Sequence, residues 1–175
     1  MTERLVLRPI EAADASAVYS YRSDSVHNEY QSWIPSSLDD VNDFITNKTS
    51  STVGIPGTWF QLVIIVKGET KLIGDIGIHF IESDKNRVEL GCTLNNDFRN
   101  KGYATEALSA VIGHLFEKLH KQYITASVDP RNTSSIRLLE RLGFKKASLH
   151  RSYLFIRGEW VDDLIYAITK EDWTD

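Results

Sequence analysis

From Ala104 onward, apolar residues fall at Ala104, Ala107, Leu108, Val111, Ile112, Leu115, Phe116 and Leu119. Steps of three and four place them in one continuous stripe on a helix. Upstream the period changes. Trp59 to Val66 is an unbroken apolar run, as in a strand buried on both faces. Within 71–81, Leu72, Ile76, Ile78 and Phe80 alternate with Asp75, Gly77 and His79. Within 87–94, Val88, Leu90, Cys92 and Leu94 alternate with Glu89, Gly91 and Thr93. Both stretches read as strands with one apolar and one polar side. If they pair antiparallel, Asp75, His79, Glu89 and Thr93 converge on one face. That face is either a wet cleft or an ordinary solvent-facing surface.

The remaining pattern fills in the order. Residues 4–8 alternate around Leu5 and Leu7 and are stopped by Pro9. Residues 11–22 read as a helix, and 26–33 as a second short one. Ser37 and Asp40 form a capping pattern that opens a helix over 37–47. Residues 49–57 are a polar loop, and 67–70 a hairpin turn. Residues 122–128 form a strand, and Asn132 caps a helix that ends at Gly143. Strands over 144–156 and 161–168 are joined by the turn 157–160. The order β-α-α-β-β-β-α-β-α-β-β predicts one domain over 1–175, a mixed sheet with helices packed on it.

Composition narrows the classes. With 175 residues, 42% hydrophobic and 25% charged, the chain suits a single globular domain with a substantial core. A net charge of -4 gives no ground for bulk binding to nucleic acid or an anionic membrane. No apolar run is long enough to span a bilayer, and the N-terminus lacks an apolar signal core. The single cysteine, Cys92, permits no internal disulfide. A cytoplasmic protein is the expectation. The five histidines show no metal-ligand spacing.

The stretch before the long helix carries candidate chemistry. Arg99-Asn100-Lys101-Gly102-Tyr103-Ala104 places two cations and a glycine at a helix start. Unpartnered first-turn N–H groups and the helix dipole favour an anion there. Gly102 allows close approach to the main chain. The loop therefore reads as a pyrophosphate cradle, or as a solvated turn into an ordinary helix. It has neither the Walker spacing nor the three-glycine dinucleotide pattern.

Taken with that loop, three stretches spread along nearly the whole chain resemble the GNAT superfamily of N-acetyltransferases. Arg99 to Ala104 resembles its acetyl-CoA pyrophosphate loop. Asn132 to Phe144 resembles its Asn-to-Gly-Phe helix, which borders the pantetheine arm. The closing Arg157 to Tyr166 hairpin and the opening Glu3 to Pro9 resemble the RimJ/RimL branch, which acetylates the α-amino group of certain ribosomal proteins. The resemblance implies an α/β (mixed α+β) fold. Its sheet would be twisted and mostly antiparallel, of about seven strands, with helices on both faces. A V-shaped split would separate strands four and five. Acetyl-CoA would lie in that V, near Leu94 and Val128. A bulge in the fourth strand would free an N–H near Leu94 to polarise the thioester carbonyl.

Residue roles follow from the same resemblance. Cofactor contacts are expected at Cys92, Thr93 and Leu94, at Arg99, Asn100, Lys101, Gly102, Tyr103, Ala104 and Thr105, and at Asn132 and Ser135. Glu89 is the candidate base, with His79 and Asp75 behind it. Many members carry a Tyr where this chain has Leu139, so Ser135 is the candidate donor to the leaving thiolate. Tyr30, Trp33, Asp75, His79 and Glu89 are expected on the acceptor side, whereas Trp59 reads as core. Cys92 reads as a structural thiol rather than an acetyl carrier. The partners implied are acetyl-CoA and an amine, with no metal, nucleic acid or membrane. The amine is a protein N-terminus or a small molecule, and a silent acyl-CoA-binding module is a third reading. The closing hairpin also leaves room for a homodimer.

Overall fold

The computed structural model describes residues 2–174. Seven strands form one sheet: β1 (Leu5–Pro9), β2 (Trp59–Val66), β3 (Leu72–Phe80), β4 (Arg87–Leu94), β5 (Tyr123–Val128), β6 (Lys145–Ile156) and β7 (Glu159–Thr169). Four helices interrupt them: α1 (Ala15–Arg22), α2 (Leu38–Asp43), α3 (Tyr103–Glu117) and α4 (Thr133–Arg141). The element order is the one the hydrophobic pattern predicts. The sheet runs β1-β2-β3-β4-β5-β7-β6, with every neighbouring pair antiparallel except β4–β5. Pro9 is tolerated because β1 is an edge strand.

The unbroken apolar run of β2 has a structural reason: both of its faces are covered. Val63 packs with Val18, Tyr21 and Val41 of the α1/α2 layer. Phe60 and Ile64 pack with Leu108, Ile112 and Phe116 of α3. Every apolar residue of the α3 stripe from Ala107 to Phe116 is buried. At roughly 1.5–3 kcal/mol for each large side chain, that stripe fixes α3 on the sheet. Among the described residues no helix is long and apolar enough to cross a membrane.

Local signals act where they were expected. Ser37 accepts from the Asp40 N–H at 3.1 Å, and Asp40 accepts from the Ser37 N–H at 3.2 Å, a reciprocal capping box. Asn132 caps α4 by accepting from the Ser135 N–H at 3.1 Å. Gly143, at φ 86°, ends α4 with Phe144 N–H donating to Leu139 O and Gly143 N–H to Glu140 O.

Two expectations change. Residues 26–33 are not helical but a run of turns. Asp24 Oδ1 accepts from the N–H groups of Val26 and His27, and buried Asn28 donates to Tyr21 O and Asp24 O. These side chains supply local partners that compete with a helix. The helix over 37–47 is α2 followed by a wide turn over Phe44–Lys48.

Candidate active site

The sheet opens between β4 and β5. Only Arg87↔Tyr123, Val88↔Ile124 and Glu89↔Thr125 pair in parallel, and the strands diverge beyond them. On its other side β4 stays in register with β3 from Phe80↔Val88 to Gly74↔Leu94. The expected bulge in β4 is therefore absent, and the split comes from the divergence of β5. Asn95 N–H donates to Ile73 O at 2.8 Å, which sets the phase of the β3–β4 ladder. By antiparallel alternation Glu89, Gly91 and Thr93 bond to β3, and the peptide groups of Leu90, Cys92 and Leu94 turn toward the gap.

The basic loop stands where β4 ends. Asn100 and Gly102 both adopt left-handed backbone, at φ 61° and 80°. Gly102 is the N-cap of α3, and no side chain caps it. The first-turn N–H groups are left for a ligand. Arg99 does not simply project into the loop. Its Nε donates to Leu94 O at 3.1 Å and its Nη2 to His27 O at 2.8 Å. It ties the strand end to the turns after α1. Lys101 lies over the Phe98 ring, and Thr105 accepts from Arg141 Nη1 at 3.5 Å.

Sequence reasoning gave Arg4 no role. Its Nε donates to Glu106 Oε2 at 2.6 Å and its Nη1 to Lys101 O at 3.1 Å. Its guanidinium lies 4.7 Å from the centre of the Tyr103 ring. Thr2 also donates to the Glu106 carboxylate. Glu106 is partly buried, which opposes its charge, but these donors hold it below the usual carboxylate range. The only sequence signal was the opening Glu3 to Pro9 stretch, which pointed to a family and not to this contact.

A cavity of about 210 Å³ fills the split. It is lined by Glu89, Leu90 and Cys92 of β4, Ser127 and Val128 of β5, the α4 cap Asn132, Ser135 and Leu139 of α4, and Tyr30 and Trp59. Glu89 is half-buried, and burial pushes its pKa above the ordinary carboxylate value. His79, 4.0 Å away, pulls it back, and the charge of Asp163 adds to the rise. His79 stacks on Trp59 with centroids 4.8 Å apart. A Cβ on Gly77 would meet that Trp59 ring at 3.0 Å, so the glycine makes room for it. Trp59 thus lines the cavity rather than the core. Burial pushes the Cys92 thiol up to about 12, leaving it protonated and a poor nucleophile at neutral pH.

Several expected residues lie elsewhere. Asp75 is 1% exposed and bound by Arg22 at 2.6 and 2.9 Å, with Tyr21 and Gln61 also donating to it. The α1/α2 layer covers this end of the polar face, so Asp75 is sealed from the cavity. Trp33 stacks on Phe44 at 4.4 Å, in the α1/α2 layer rather than on the cavity wall. Thr93 is buried and donates to Gln31 Oε1 at 3.3 Å, so it does not face the gap. Leu139, where a tyrosine was looked for, is a buried core residue that also lines the cavity. Tyr30 lies against Arg131, 5.7 Å from its ring centre. Two lining carboxylates escaped sequence reasoning: Asp129 sits in a plain turn, and Asp162 lies in the closing hairpin, whose resemblance pointed to a family and not to this position. Among the described residues no group of His, Cys, Asp or Glu is arranged to hold a metal ion.

A family profile for an acetyltransferase (GNAT) domain matches residues 4–145. The chain is 32% identical to the uncharacterized N-acetyltransferase p20 of Bacillus licheniformis over 173 residues, covering 98% of this chain and 96% of that one. It is 28% identical to the [ribosomal protein uS5]-alanine N-acetyltransferase of Escherichia coli, covering 99% and 91%. A GNAT-family acetyltransferase structure from Bacillus anthracis superposes with TM-score 0.84 at 30% identity, covering 98% of both chains. A Mycobacterium smegmatis RimJ in complex with CoA-disulfide has the same fold, with TM-score 0.83 at 24% identity, covering 98% of this chain and 84% of that one.

Proposed function

The chain belongs to the acetyltransferase (GNAT) domain family, and on that premise we propose that it moves the acetyl group of acetyl-CoA onto the α-amino group of a protein N-terminus. One observation carries the reading. β4 and β5 part after Glu89↔Thr125, and β4 continues to Leu94 and the loop that opens the uncapped α3, so a single extended ligand laid along β4 would meet both Glu89 and the helix start. The N–H groups of Tyr103, Ala104 and Thr105 would take the pyrophosphate, with Lys101 adding charge. The gap-facing peptide groups of β4 would pair with the amide-bearing arm.

The chemistry then falls at the Glu89 end. Glu89 accepts a proton from the acceptor ammonium, directly or through water, and the freed amine attacks the thioester carbonyl carbon. Leu90 and Cys92 border the cavity with Glu89, whereas Leu94 lies beyond it. Their N–H groups are better placed than that of Leu94 to stabilise the oxyanion. The C–S bond breaks, the attacking nitrogen gives up its second proton to water, and the CoA thiolate takes a proton from Ser135, whose hydroxyl is refilled from solvent. Holding both reactants in line supplies much of the acceleration. The raised pKa of Glu89 suits a base working near neutral pH.

The acceptor class rests on the relative from Escherichia coli, whose name places its action on a ribosomal protein alanine. A small polyamine is the second reading, favoured by the three carboxylates Glu89, Asp129 and Asp162 around a cavity of about 210 Å³. The test is release of CoA thiol from acetyl-CoA against free-N-terminus peptides and small amines. Turnover on peptides that disappears when the α-amine is blocked supports the proposal. Turnover on small amines alone replaces it. Tight acetyl-CoA binding with no release on any acceptor points to a silent binding module.

A further inference from the structure

Beside the cavity of the split lies a second, more open trough of about 490 Å³. The two share Gln31 and Ser32 as lining residues, so they adjoin at that border. The trough is lined by Tyr19 and Ser23 of the α1 end, by Trp33 and Ser36, and by Arg157 of the β6–β7 turn. Trp33 gives an apolar wall held in place by Phe44, and the hydroxyls give hydrogen-bonding capacity.

The charge reverses along this path. The inner cavity is lined by Glu89, Asp129 and Asp162. Among the described residues no acidic one lines the trough, and Arg157 is the one cation on its wall. Among the described residues Arg157 makes no ion pair or side-chain hydrogen bond. Arg157 and Gly158 have φ 52° and 87°, the two positive values of a tight hairpin turn. That turn sets Arg157 on the trough wall with its guanidinium uncommitted. Asp129 is held below the usual carboxylate range, chiefly by the hydrogen bond from Arg131 and last by the charge of Arg157.

We infer that the trough is a specificity subsite for the residues following the acceptor's amino terminus, and that Arg157 selects an Asp or Glu among them. The inference rests on the protein-acceptor reading. An ammonium seated by the inner carboxylates and a carboxylate met by Arg157 match the reversal of charge. An extended chain covers about 3.3–3.6 Å per residue, so the acidic side chain belongs within about the first four residues.

The experiment measures kcat and KM for a peptide series with a constant first residue. Positions two to four carry Asp or Glu, their amides, or Lys. The wild-type chain should prefer an acidic peptide over its amide by about 3- to 10-fold, mainly in KM, as befits a partly exposed charge-assisted contact. Arg157→Gln should remove that preference, and Arg157→Glu should turn it toward Lys. Acetyl-CoA affinity and Tm serve as controls that the exposed turn has not disturbed the fold. Equal kcat/KM for acidic and amide peptides, or a preference that survives in Arg157→Gln, overturns the subsite. No turnover of any peptide overturns instead the protein-acceptor reading on which it rests.

Discussion

Arg4 Nε donates to Glu106 Oε2 at 2.6 Å, joining the residue before β1 to the first turn of α3 across most of the domain's sequence. Without its partner, Glu106 would set a bare negative charge beside the N–H groups that receive a phosphate. Arg4 cancels that charge and also donates to the Lys101 carbonyl. Arg4→Gln is expected to raise KM for acetyl-CoA by about 2- to 5-fold, the scale of a partly exposed ion pair, with kcat little changed. Initial rates against acetyl-CoA at low and high salt check this. A fall in kcat alone would remove Arg4 from cofactor positioning.

Gly102 has φ 80°, and a Cβ there would lie 3.2 Å from Arg4 Nη2. Gly102→Val should cost about 1–2 kcal/mol of stability for the left-handed backbone, roughly a 2–8 °C drop in Tm. Acetyl-CoA binding should weaken by at least about tenfold because the added side chain also crowds the phosphate. Calorimetric titration beside thermal melting separates the two, and unchanged affinity would sink the cradle.

Glu89 makes opposite predictions for activity and stability. Burial raises its pKa in the folded chain, so protonation favours the fold. The gain is full below the unfolded value and is lost as pH rises through the folded one. Ionised Glu89 therefore weakens the fold at neutral pH. Glu89→Gln should melt higher than wild type at neutral pH, and the difference should close toward acid pH. The same variant should lose about 10²–10⁴-fold in kcat. The wild-type pH–rate profile should have an acid limb above the ordinary carboxylate range, absent from any residual activity of the variant.

Asp75 should behave in the opposite way. Asp75→Asn leaves buried Arg22 without its anion, at a cost of about 3–5 kcal/mol. Tm should fall by about 6–20 °C. At a temperature where the variant is folded, its KM for the acceptor should match wild type. A selective rise in acceptor KM would return Asp75 to the binding site.

Ser135→Ala tests the proton donor. Ser135 lines the cavity, and its backbone is fixed by Asn132. A donor role predicts a fall in kcat of about 10²-fold with both KM values unchanged. A wild-type kcat would assign that proton to water.

The legible parts were those that local patterning controls. The α3 stripe, the Ser37–Asp40 box and the Asn132 and Gly143 caps each depend on neighbours within one or two turns. The alternation in β3 and β4 gave the right face partners, Asp75↔Thr93 and His79↔Glu89. It could not say which end of that face stays open, because α1 covers it from a distant part of the chain. Hence Asp75 looked like Glu89 in sequence and is sealed in the fold. Trp59 was misread for the complementary reason. Its exposure depends on Gly77 leaving space across the strand pair. Arg4 and Asp162 lie in stretches that pointed to a family and not to their contacts, Asp129 lies in a plain turn, and only tertiary pairing brings the three to the site.

The three parallel rungs between Arg87 and Thr125 have one more consequence. An unpaired strand border usually invites other chains to add to it. Here that border lies inside the sheet, walled by β5 and closed at one end by the rungs. The chain thus keeps open backbone groups for an extended ligand without the aggregation hazard of an outer edge.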